Sequence, residues 1–144
     1  MTLILSLILV GCVENEEGGF ISLSKGNLFG AGEEGFEKEN IIISNSDEWN
    51  SFLSKIDTTN KVSDTFDNSI DFSKESVCIA MDKVRNSGGF SIEILEVVNE
   101  GETTIIKIES IGPKPGDMST MAMIQPYHII KINKTKKKIK FLEL

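Results

Sequence analysis

From residue 75 onward the chain alternates. Val77, Ile79 and Met81 recur at every second position, as do Phe90, Ile92 and Ile94 against Ser91 and Glu93. Ile106 with Ile108, Ile130 with Ile132, and Ile139 with Phe141 between Lys138 and Lys140 continue the pattern. A period of two sends successive side chains to opposite faces of a pleated strand, so this half of the chain reads as a run of strands. "NSGG", "NEGE" and "NKTK" carry the Gly, Asn and Ser of tight reversals and read as hairpin-like connections, with one long loop, "GPKPGDMSTMAMIQP", among them. Upstream, "FISLS" at 20–24 and "NIIIS" at 40–44 read as short strands flanking a glycine-rich loop.

One helix interrupts the strands. Trp49, Phe52, Leu53 and Ile56 stand at i, i+3, i+4 and i+7 and form a single apolar stripe. Ser44 with Asp47 fits a capping-box spacing, Ser46 is the other possible cap, and Asp47 and Glu48 put negative charge in the first turn. The polar stretch "TTNKVSDTFDNS", 58–69, reads as a loop. The expected fold is α+β: mainly antiparallel β, a sandwich or open-barrel-like sheet, with one short amphipathic helix packed on it.

If successive strands run antiparallel, the loop at 85–89 and the loop at 112–126 share one end of the sheet. The turns at 99–102 and 133–136 then share the other. The first end gathers Gly88, Gly89, Phe90, Pro113, Pro115, Gly116, Pro126 and Tyr127. Glycines there expose backbone to a partner, prolines preorganise the loop, and Phe90 and Tyr127 are the expected anchors of a protein-binding edge.

Charge is distributed unevenly. The chain has 15 basic and 22 acidic residues, net −7. Residues 131–144 hold six lysines against Glu143, a net +5, which leaves −12 for the rest. An acidic chain of this kind excludes nucleic acid as a partner, because phosphate binding needs a positive surface. The lysines read as a solvated strand edge that discourages unwanted strand pairing.

The N-terminus carries an address. "MTLILSLILVGC" is apolar from Leu3 to Val10, shorter than the roughly 20 residues of a membrane span. Leu9, Val10 and Gly11 directly before Cys12 resemble the lipobox of bacterial lipoproteins. That resemblance implies a signal peptide at 1–11, a lipidated Cys12 opening an acidic tether through residue 19, and a single domain from 20 to 144. It implies a cell-envelope location, on the periplasmic or surface side of a membrane. Acylation of Cys12 leaves Cys78 without a disulfide partner, and "VCIAM" makes Cys78 a small core residue.

Other chemistry finds little support. "GAGEEG", 30–35, spells GxGxxG, but no helix pattern follows and two glutamates would repel a pyrophosphate. His128 is the sole histidine and reads as a structural strand residue. Met118, Met121 and Met123 would suit Cu(I) if they converged, but read better as adaptable side chains for the loop core or a protein-binding surface. No cofactor, metal or catalytic residue is expected.

"GGFSIEILEV", "GPKPGD", "QPYHIIKI" and the terminal "IKFLEL", in this order, resemble the PrcB C-terminal domain family, named for a lipoprotein subunit of a spirochaete surface protease complex. "DEWNSFL" and "DFSKESV" supply that family's Trp-containing helix and Asp-Phe pair, so the likeness extends over about 27–144. Phe90 stands where the family has a tyrosine, and Ile124 to Tyr127 stand for its Thr-x-Pro-Tyr. The resemblance implies a non-catalytic subunit that binds or stabilises an exported protease. The alternative is a protease inhibitor that presents loops 85–90 and 113–127 in the manner of chagasin-type inhibitors, an analogy of fold.

Overall fold

The computed structural model describes residues 19–144; Cys12 and its lipobox lie outside them. The order of elements is β1 (Ile21–Phe29), β2 (Glu39–Ile43), α1 (Ser46–Ile56), β3 (Glu75–Met81), β4 (Ser91–Glu100), β5 (Thr103–Ile111), β6 (Ile124–Asn133) and β7 (Lys138–Glu143). They form two sheets, one in the order β1-β6-β3-β2 and the other in the order β4-β5-β7. With α1 the result is three layers, helix on sheet on sheet, and the expected α+β class holds.

The middle layer explains the most apolar segments. On β3, Val77, Ile79 and Met81 face α1 and meet Leu28, Trp49, Phe52, Ile56 and Ile129. Their neighbours Cys78 and Ala80 face the other way and pack with Ile92, Ile94, Ile106, Ile108, Ile130 and Ile132. A strand covered on both faces has no polar side, and "VCIAM" is buried throughout. Each isoleucine so enclosed contributes about 1.5–3 kcal/mol relative to exposure.

The stripe on α1 packs as expected, with Trp49, Phe52 and Ile56 buried. Its cap differs. Asn45, in extended conformation, accepts the Glu48 N–H at 2.9 Å, and the Glu48 carboxylate accepts the Ser44 N–H at 3.3 Å. The box is therefore built one residue later than Ser44 and one earlier than Ser46, because the helical ladder begins with Trp49 N–H to the Asn45 carbonyl. The Trp49 indole N–H donates to the Asn68 carbonyl at 2.9 Å and ties the 58–69 segment to the helix. That segment contains a one-turn 3-10 helix, Val62–Thr65, with Val62 buried.

Two of the three hairpin-like connections are not hairpins. "NEGE" joins β4 to β5 within one sheet, but "NSGG" carries the chain from β3 in one sheet to β4 in the other, and "NKTK" carries it from β6 back to β7. β7 therefore pairs with β5, and parallel. Each connection from β3 onward reverses direction, so strands two apart run the same way, and sheet-switching makes two such strands neighbours. β1 also runs on past residue 24 to Phe29, into the stretch expected as a glycine-rich loop; Gly26 lies opposite Tyr127, whose ring covers the gap left by the missing side chain.

Candidate functional site

Loops 82–90 and 112–123 do meet at one end of the sandwich. Arg85 and Ile124 exchange backbone hydrogen bonds of 2.7 and 3.0 Å, and the Gly88 N–H reaches the Thr120 carbonyl at 3.0 Å. A Cβ on Gly88 would stand 2.5 Å from Thr120 Oγ1, and Gly89, at φ +87°, lies against the Pro113 ring. A side chain at Gly88 would force Thr120 to move, and glycine readily adopts the positive φ of Gly89. Phe90 lies flat enough on Gly112 that a Cβ there would be 2.9 Å from its ring. Pro115 and Gly116 are exposed and form the corner of a turn closed by Asp117 N–H to the Lys114 carbonyl, with Gly116 at φ +89°.

Pro126 and Tyr127 are buried, which corrects their expected place on a binding edge. Both belong to β6 in the covered middle sheet; Tyr127 is 6% exposed and its hydroxyl hydrogen-bonds Ser24 Oγ at 3.0 Å. A strand with a layer on either side has no outward aromatic to offer.

Three features at this end were not read from the sequence. Asp82 is fully buried and takes a two-point fork from Arg85, Nε to Oδ2 at 2.9 Å and Nη2 to Oδ1 at 3.1 Å, plus the Lys83 N–H at 2.8 Å. The Arg85 guanidinium also lies 4.5 Å from the Phe90 ring centroid, so one side chain links the sheet end to the loop. Gln125, likewise buried, donates to the carbonyls of Phe36 and Asp82, both at 2.9 Å. It brings in a third loop, 30–38, whose Gly32 abuts Val84 closely enough that a Cβ would be 2.7 Å from Cγ2. "GAGEEG" is thus a structural loop of this end. The charged Arg85 directly before "NSGGF" was the available signal; nothing local marked the 30–38 loop as its neighbour.

The surface of this end is apolar at its tip. Met118 and Met121 are fully exposed at 102% and 94% of their reference areas, with Met123 and Ile111 more than two-fifths exposed. The methionines therefore do not fill the loop's own core. Behind them stands a base fastened by the bonds just described.

His128 is occupied structurally. Its Nδ1 accepts the Ile94 N–H at 2.8 Å across the gap between the sheets, where β4 bulges between Ile94 and Glu96. That bond assigns the remaining proton to Nε2, which donates to Ser22 Oγ at 2.8 Å. Burial, reinforced by the Lys25 charge and opposed by Glu93, pushes the imidazole down to about 4. Neither nitrogen is open to a substrate at neutral pH. Burial likewise pushes the Cys78 thiol up to about 12, which leaves it unreactive.

The opposite end carries the lysines. A cleft of about 270 Å³ lies between the sheets there, lined by Val97, Asn99, Thr104, Ile132, Lys134 and Lys137 among others. Lys138 and Lys140 are exposed along β7 while Ile139 and Phe141 turn inward.

Residues 77–133 match the family model described as PrcB C-terminal. The match runs from β3 through β6 and so takes in both converging loops, the Asp82–Arg85 fork and the Met-bearing tip. It is narrower than the 27–144 expected, leaving out β1, β2, α1 and β7. No curated protein and no solved structure matches the chain.

Proposed function

We propose that this PrcB-like protein is an exported lipoprotein, anchored through Cys12 in a bacterial cell envelope, whose domain is a non-catalytic subunit of a protease complex. The observation that carries the binding role is the pair Met118 and Met121, fully exposed on a loop whose base is pinned to its neighbours. Exposed thioether side chains adapt to apolar partners, and a fixed base lowers the ordering cost of association. The family match over this part of the chain supports a protease as the partner.

The test is co-purification of the tagged full-length protein from detergent-solubilised cells, with partners identified by mass spectrometry. The expected result is a protease recovered in stoichiometric amount, lost with Met118→Ser/Met121→Ser while thermal unfolding is unchanged. A recovered set indifferent to the two methionines refutes the loop tip as the site. Assay of the protease within the complex separates a supporting subunit, which leaves it active, from an inhibitor, which blocks it. Radiolabelled fatty acid incorporated by the natural chain and lost in Cys12→Ser tests the anchor by itself.

A further inference from the structure

The two sheets have four outer edges, and three of them are guarded. β1 bulges between Ser22 and Ser24, β4 bulges between Ile94 and Glu96, and β7 carries exposed Lys138 and Lys140. Bulges and lysines are among the devices by which natural sheets prevent another strand from pairing at an edge. β2 has neither. It is the outermost strand of its sheet, its sequence is Glu39-Asn40-Ile41-Ile42-Ile43, it pairs with β3 in unbroken register, and Ile42 is 39% exposed. Among the described residues, its backbone makes no hydrogen bonds on the side away from β3.

Beside that edge lies an open groove of about 420 Å³ between β2 and α1, lined by Ile41, Ile42 and Ile43 of the strand and by Asp47, Glu48, Ser51 and Phe52 of the helix. Ile41 and Ile43 lie two residues apart on one face, so a strand added alongside β2 would drop alternate side chains into the groove. Its rim is acidic: Asp47 and Glu48 open the helix and Glu39 is exposed at the start of the strand. A second copy of this chain would bring the same carboxylates together, and net −7 adds to the repulsion.

We infer that β2 is a strand-addition site that receives an extended segment of another protein, with alternating apolar side chains flanked by lysine or arginine. Main-chain pairing along β2 supplies affinity, and the groove and its acidic rim select the side chains. This surface is separate from the methionine loop and gives the domain two independent points of attachment.

The test uses the full chain and a fluorescent heptapeptide, Lys-Ile-Thr-Ile-Thr-Ile-Lys, capped at both ends. Saturable binding is expected, with new hydrogen-exchange protection confined to amides of 39–43. Asp47→Asn should weaken it about 2–5-fold, as for an exposed ion pair, and Ser51→Arg, which fills and charges the groove from an exposed helix position, about tenfold or more. The same peptide with proline at its third and fourth positions, which removes a backbone N–H from each side of the strand, should not bind. Absence of binding at about 1 mM peptide overturns the inference. So does equal binding by the proline peptide or by the Ser51→Arg protein. Dimerisation of the chain alone, abolished by Ser51→Arg in sedimentation, would assign the edge to a second copy and overturn it equally.

Discussion

His128 should make the stability of this protein depend on pH above the range where carboxylates titrate. In the folded state its Nδ1 must stay unprotonated to accept the Ile94 N–H, and its proton affinity falls to about 4, against an ordinary value of 6.5. The unfolded chain therefore binds the proton first as pH falls. The stability is fully present above 6.5 and is lost as pH drops through the window down to about 4. The full difference amounts to about 3 kcal/mol, of which about 2 kcal/mol is gone by pH 5, where most unfolded carboxylates are still ionised. With a urea dependence of about 1–3 kcal/mol per molar, the unfolding midpoint should fall by roughly 1 M between pH 7.5 and pH 5. His128 is the only imidazole in the sequence, so the window isolates it. In His128→Gln the midpoint should start lower, by about 1–3 kcal/mol for the disturbed Ile94 N–H, and stay flat over the same interval. A natural chain with a flat midpoint, or a variant with the natural slope, would refute the assignment of Nδ1 as the acceptor.

Other expectations follow from single contacts. Arg85→Ala leaves Asp82 buried without its fork and should cost about 3 kcal/mol in urea unfolding; Arg85→Lys, which keeps the charge but not the two-point geometry, should recover less than half of that. Asn45→Ala removes the acceptor for the Glu48 N–H and should cost about 1 kcal/mol, visible as a lowered midpoint with an unchanged urea dependence. In a Cys12→Ser background, Cys78 should react with a thiol reagent only as fast as the domain unfolds. Its raised value also means that stability is present below pH 9 and falls as pH rises from there toward 12.

Period and turn chemistry were enough to read the strands from 75 onward, the helix stripe and the shared end of two loops, because each is encoded within about ten residues. Sheet membership was not. Nothing within "NSGG" or "NKTK" distinguishes a hairpin from a crossing between sheets, since both need the same tight reversal. The continuous apolar character of "VCIAM" and "HIIKI" was the neglected sign that these strands are covered on both faces, and it would have placed Tyr127 inside. The Asp82–Arg85 pair is three residues apart and visible in sequence, but its burial depends on β6 and loop 30–38, which arrive from distant parts of the chain. The methionines were legible as adaptable side chains, but not that they face outward, since that depends on how the loop lies on the end of the sandwich.

The position of β6 governs how this chain reaches its fold. β6 lies between β1 and β3, pairing Ile21 with Lys131, and β7 then closes the other sheet against β5. The four-stranded sheet therefore waits for residues 124–133, which join β1 to β3, while β4 and β5 can pair before β7 arrives. Partners more than a hundred positions apart put the search for contacts at the slow, non-local end of folding rates. A chain still emerging from its point of synthesis or export would hold separated strands with nothing to complete them. Closure of the four-stranded sheet is postponed until β6 is free, and a truncation within β6 would split it and strand β1, whereas one within β7 would remove only an edge strand.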